Sequence, residues 1–149
     1  MSEDKEVISL LNDLLGYEYL QRDIYETYSY YLFGLCSPSL QKHLEEHRKE
    51  EDEHIRILQR YLMGYHADPL LSRLKIPEIE PPISNILKKD LELEKDAVSR
   101  YSEAISMLED SESGDYTALR VDLENILVQE QEHVHDLTQW LRTTGEDSE

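Results

Sequence analysis

Glu51-Asp52-Glu53-His54 and Glu130-Gln131-Glu132-His133 carry the same Glu-x-x-His spacing, once in each half of a 149-residue chain. On a helix, residues three apart lie on one face, close enough for a carboxylate and an imidazole to share one ligand. A single such pair is common in a chain this rich in glutamate. Two gain meaning when each falls in the inward stripe of its own long helix and two further helices each place one glutamate in theirs.

Stepping by three and four along four segments gives those stripes. The first reads Val7, Leu11, Leu14, Glu18, Gln21, Tyr25, Tyr28, Leu32, and the second Leu40, Leu44, His47, Glu51, His54, Leu58, Tyr61. The third reads Leu87, Leu91, Glu94, Val98, Tyr101, Ile105, Leu108, and the fourth Leu119, Leu123, Ile126, Glu130, His133, Leu137, Trp140. Each stripe is mainly apolar or aromatic and is interrupted by a glutamate in mid-length. In the second and fourth a histidine follows one turn later.

Helix punctuation bounds the segments. The first is expected from about Asp4 to Leu35, ended by Cys36-Ser37-Pro38. Ser37 then serves as N-cap and Pro38 as first residue of a second helix, which runs to about Gly64. Residues 65–83, with Pro69, Pro77, Pro81 and Pro82, have no helical period. Ser84 is expected to cap a third helix that fades at Asp110. Asp115 is expected to cap a fourth that ends near Arg142. The middle connection is long enough to travel the length of a bundle, roughly 30–40 Å for helices of about 25 residues. Short, long, short connections predict an all-α, ferritin-like four-helix bundle with a crossover between helices two and three, and 1–149 as one domain.

Composition agrees with this class and excludes others. Gly and Pro number only 5 each, as an all-α chain requires. The formal charge of −18 opposes binding to a nucleic-acid backbone and favours attraction of cations. Cys36 is the single cysteine, so neither an intrachain disulfide nor a thiolate metal site is available. There is no 18-residue apolar run, and Met1-Ser2-Glu3-Asp4-Lys5-Glu6 is too acidic for a secretory leader, so no membrane and a cytoplasmic location are expected.

A lone buried carboxylate costs several kcal/mol or takes up a proton. Four of them with two imidazoles at one depth need counter-charge, and two divalent cations supply it. The expected metal ligands, and the residues on which catalysis rests, are therefore Glu18, Glu51, His54, Glu94, Glu130 and His133. Glu51 and Glu130 are read as bridges, Glu18 and Glu94 as terminal, and His54 and His133 as binding one ion each. Oxygen-rich ligation with one imidazole per metal suits Fe(II), Mn(II) or Zn(II). Tyr25 and Tyr101, two turns beyond Glu18 and Glu94, are candidates to bond a ligand carboxylate, and Asp90 to orient a histidine. His43, His47, His66 and His135 are read as surface histidines.

At Val7, Leu14-Leu15-Gly16, Glu18, Tyr25, Glu51/His54, Asp90-Leu91-x-Leu93-Glu94, Ala104-Ile105 and Glu130-x-x-His133 the chain resembles the bacterioferritins, over roughly Lys5 to Leu141. The resemblance implies a ferroxidase holding two Fe ions per chain, oxidising Fe(II) with O2 or H2O2 and storing ferric mineral in a homo-oligomeric cage. A non-storing oxidase or peroxidase similar to the rubrerythrins, working as a small oligomer, is the alternative. The chain departs from the family pattern in three places. Asp52 stands where bacterioferritins have the haem-ligating methionine, so haem is not expected. The tail Thr143-Thr144-Gly145-Glu146-Asp147-Ser148-Glu149 is short and charged rather than a fifth helix. The turn at Asp110 to Asp115 is longer.

Overall fold

Four helices dominate the computed structural model, which describes residues 2–31, 38–111 and 115–143. They are α1 (Ser2–Thr27), α2 (Pro38–Gly64), α3 (Ile83–Glu109) and α4 (Thr117–Thr143). α1 packs on α2 and α3, and α4 packs on α3 and α2, closing a four-helix bundle. Pairs such as His54 with Gln129 and Glu50 with His133 fix α2 and α4 as antiparallel. Tyr101 with Glu18 and Tyr25 with Asp90 do the same for α1 and α3.

The core is layered along the bundle axis. Val7, Leu11, Leu14, Leu58, Leu62, Ala104, Leu108, Leu119 and Leu123 fill one end. Leu44, Leu87, Leu137 and Leu141 fill the other, around Tyr25. Each buried aliphatic side chain contributes about 1.5–3 kcal/mol. Between these ends lies the polar layer in which the interrupting glutamates fall.

Residues 67–80 have no regular secondary structure and run along α1. Gly16 permits the close approach, since a Cβ there would stand 3.3 Å from Leu70 Cδ2. The Leu70 amide donates to Asn12 Oδ1 at 2.8 Å. Farther along, the Tyr28 hydroxyl donates to the Pro77 carbonyl at 2.7 Å and accepts from the Ile79 amide at 2.8 Å. Ile76 and Ile79 pack beside Leu20, Ile24 and Tyr28.

Several expectations need correction. The first helix does not run unbroken to Leu35: α1 ends at Thr27, Tyr28 makes a turn, and helix resumes over residues 29–31. The Tyr31 amide reaches back only to the Tyr28 carbonyl, a tighter step than the α-helical one. Tyr28 sits at this break with its hydroxyl committed to the crossover. Leu32, Leu35, Cys36 and Ser37 lie outside the described residues, so the capping expected of Ser37 does too; Pro38 is the first residue of α2. Ser84 is not a cap. Pro82 holds that position without a side-chain bond, and Ser84 is buried inside the first turn of α3. Asp115 Oδ1 does accept from the Thr117 amide at 3.2 Å. Leu91, Val98, Tyr61 and Trp140 are only half-buried; on α3 the fully buried places go to Asp90, Ala97 and Ala104.

The Tyr28→Phe variant should lose about 1 kcal/mol in chemical denaturation, because the half-buried Pro77 carbonyl and Ile79 amide lose their shared partner. Hydrogen exchange at the Ile79 amide should accelerate with it. Unchanged stability and exchange would mean that Tyr28 does not tether the crossover.

Candidate metal centre

The polar layer gathers Glu18 from α1, Glu51 and His54 from α2, Glu94 from α3, and Glu130 and His133 from α4, each at most 1% exposed. Their ligand atoms form two overlapping groups, Glu18-Glu51-His54-Glu130 and Glu51-Glu94-Glu130-His133, with the atoms of each group within 4.8 Å of one another. Glu51 and Glu130 belong to both. All six residues named from the sequence are thus brought together.

Both imidazoles present Nδ1 to the carboxylates. His54 Nδ1 lies 3.0 Å from Glu130, 3.3 Å from Glu18 and 3.7 Å from Glu51. His133 Nδ1 lies 3.3 Å from Glu94, 3.4 Å from Glu51 and 3.6 Å from Glu130. The outward Nε2 atoms are held reciprocally across the bundle: His54 by Gln129 Oε1 and His133 by Glu50 Oε2, each at 2.5 Å. Fixing the far nitrogen sets ring orientation and leaves the near nitrogen for a metal. Glu50 and Gln129 had escaped the sequence reading, although each immediately precedes the glutamate of a Glu-x-x-His pair.

The two ends of the layer differ. Tyr101 donates to Glu18 Oε1 at 2.7 Å, a contact of the kind expected for a phenol on a candidate ligand. Tyr25 instead donates a short bond to Asp90 Oδ2 and meets His47 Nδ1 at 3.4 Å. Asp90 therefore faces a tyrosine rather than orienting a histidine. His47 is not a surface histidine either. It is buried, its ring stacked on His133 at 4.0 Å, with Nε2 3.3 Å from Asp136. The period places His47 in the stripe; only the packing reveals its stacking.

Electrostatics show what so much buried charge requires. Burial, then the negative charges of Glu51 and Glu130, raise Glu18 well above the ordinary carboxylate range. Burial, then Glu130 and Glu51, do the same to Glu94. For Glu51, burial and the charge of Glu130 push upward, but the neighbouring Glu18 carboxyl and the His133 and His54 imidazoles outweigh them and hold it at about 2. His54 and His133 are both raised: burial opposes their charge, and the surrounding carboxylates overcome it. Burial lifts Asp90 to about 7 against the Tyr25 hydrogen bond. Burial, with His133 next to it, lowers His47 to about 4.

This donor set fits two divalent cations. Both carboxylate oxygens of Glu51, Glu94 and Glu130, together with His133 Nδ1, are buried without a hydrogen-bond partner. Unpartnered anionic oxygens facing one another are favourable only around positive charge. With oxygen donors and one imidazole per group, hard to intermediate divalent ions are the fit.

Metal uptake should therefore release protons, at least one per ion, because each imidazolium must lose its Nδ1 proton to bind. The same competition should weaken apparent affinity as pH falls. Calorimetry in two buffers of different ionisation heat measures the count, and zero release would contradict the protonated metal-free cluster.

The match to known proteins is consistent with this arrangement. Residues 8–146 match the family model of the Ferritin-like domain. A relative named bacterial ferritin, from Paramagnetospirillum magnetotacticum, is 32% identical over 111 residues, covering 73% of this chain. The alignment spans 66% of that protein's length. The backbone superposes on a crystal structure of ferritin-like, diiron-carboxylate proteins from Bacillus anthracis str. Ames with a TM-score of 0.82, covering 95% of this chain and 99% of that one. At 23% identity, that likeness speaks for the fold. With the family model spanning nearly its whole length, this chain belongs to the Ferritin-like domain family.

Proposed function

We propose that the chain, as a single ferritin-like domain, is a di-iron ferroxidase that oxidises Fe(II) and stores the ferric product in a homo-oligomeric assembly in the cytoplasm. The observation that carries the reading is the membership of Glu51 and Glu130 in both donor groups. Two groups sharing two carboxylates suit a pair of ions bridged by Glu51 and Glu130. Glu18 and His54 complete one position, and Glu94 and His133 the other.

Fe(II) is the substrate, and a bound pair delivers one electron from each ion to a two-electron oxidant. The protein's part is positional and electrostatic. Glu50 and Gln129 hold the histidine rings, and Tyr101 holds Glu18. The apolar layers at both ends exclude water. Asp52, where a haem-binding relative has methionine, lies within ion-pair distance of Arg48 at 3.4 Å and Arg22 at 3.8 Å. It offers no thioether, and the proposal includes no haem. Among the described residues no helix is long and apolar enough to cross a membrane.

Aerobic Fe(II) added to metal-stripped protein, from two to a few hundred ions per chain, should be oxidised and should elute from a sizing column with a large assembly. Saturation near two ions per chain in a small oligomer would replace storage with a rubrerythrin-like oxidase, and absence of uptake would sink the reading. Glu130→Ala should lower the initial oxidation rate by more than the roughly 100-fold expected for an outer-shell change and remove both ions. Glu18→Ala should leave one. Equal stoichiometry for the two variants would refute the bridging assignment.

A further inference from the structure

The two Glu-x-x-His pairs are braced at equivalent places, but not by the same chemistry. The residue just before Glu51 is Glu50, and the residue just before Glu130 is Gln129. His133 Nε2 therefore faces a carboxylate and His54 Nε2 an amide oxygen, both at 2.5 Å. An imidazole that donates its far N–H to a carboxylate is a more basic donor at its near nitrogen than one that donates to a neutral carbonyl.

The outer carboxylates differ in the same direction. Glu18 Oε1 accepts from the Tyr101 hydroxyl at 2.7 Å, which draws charge from the group it would offer a cation. Tyr25, seven residues after Glu18 as Tyr101 is after Glu94, turns to Asp90 and His47 instead. Both oxygens of Glu94 are left without a well-formed hydrogen bond. Glu51 and Glu130 belong to both donor groups and favour neither position. Of the donors that belong to one position only, the stronger carboxylate and the stronger imidazole both stand at Glu94–His133.

We propose that Glu50 and Gln129 rank the two metal positions: a divalent cation fills the Glu94–His133 position first and is held there, while the Glu18–His54 position fills second and exchanges its ion. The inference deepens the di-iron reading above and rests on it. Glu50 and Gln129 act through the histidines and are positioning residues. Changing such a partner generally costs roughly 10–100-fold in metal affinity, so a carboxylate set against an amide separates the positions by about tenfold. In a chain that oxidises many Fe(II) ions, the weaker position is the one through which successive ions pass.

Trp140, the single tryptophan, reports which position is filled. Its ring stacks on His47 at 5.5 Å, and His47 stacks on His133 at 4.0 Å, so an ion held by His133 is two rings from the indole. Co(II) titrated into metal-stripped protein at fixed pH should quench Trp140 fluorescence mainly with the first equivalent, while calorimetry counts two ions. The spacing of the two steps does not decide, because equal positions also fill in sequence once the first ion repels the second. The double variant Glu50→Gln/Gln129→Glu keeps the net charge and both hydrogen-bond acceptors, and it should delay the quenching toward the second equivalent. Glu50→Gln alone should weaken the first step about tenfold and spread the quenching over both equivalents. Quenching shared equally in the wild type, a first step unmoved in Glu50→Gln, or an unchanged order in the double variant would overturn the ranking alone, provided two ions still bind. Wild-type protein that binds no Co(II) would overturn both readings.

Discussion

Six ionisable side chains packed into the buried middle of a small bundle set the terms for the rest of the structure. Each isolated carboxylate moved there costs several kcal/mol, while each buried aliphatic residue in the layers above and below returns about 1.5–3 kcal/mol. The metal-free chain answers with protons, held on both imidazoles and favoured on Glu18 and Glu94. Cations answer better, because one divalent ion replaces several protons and satisfies oxygens left without a well-formed hydrogen bond. Stability and metal occupancy are then one equilibrium: whatever binds the folded cluster and not the unfolded chain stabilises the fold in proportion to the logarithm of its concentration.

That cluster depends in turn on topology. A bundle with three short connections would place α1 beside α2 and α4, and leave α1 and α3 on a diagonal. The crossover instead sets α1 beside α3 and α2 beside α4. Like then faces like: Glu18 meets the helix of Glu94, and one Glu-x-x-His meets the other. The reciprocal bracing of the histidines by Glu50 and Gln129 is possible only in this order, since each brace comes from the helix that carries the opposite histidine. The segment 67–80, lacking regular structure of its own, is needed for that pairing, and Gly16, Asn12 and Tyr28 are where α1 receives it.

What could be read from the sequence was what repeats. The 3.6-residue period, the proline-bearing gap and the interrupting glutamates are local features, and they carry the helical bundle and the six residues gathered in its core. What could not be read depends on which neighbour a side chain finds. Asp90 reads from the sequence as a group to orient a histidine, because its actual partner, Tyr25, is on another helix. His47 lay in a stripe, but nothing local tells a buried histidine stacked on His133 from one at a bundle edge. Ser84 failed as a cap because Pro82, two residues earlier, already starts the helix. The break at Tyr28 was invisible because it coincides with a tertiary tether rather than with a glycine or proline.

The departures from internal repetition carry a further meaning. Positions that correspond in the two halves differ at Leu14 and Asp90, at Gln21 and Ala97, and at Ile126 and His47. Asp90, four residues before Glu94, bonds Tyr25, and His47 stacks on His133, whereas Gln21 stands three residues after Glu18. The asymmetry therefore concentrates polar groups beside His133, where Tyr25, Asp90, His47 and Asp136 form one chain of contacts, and leaves Leu14 and Ile126 at the corresponding places of the other half.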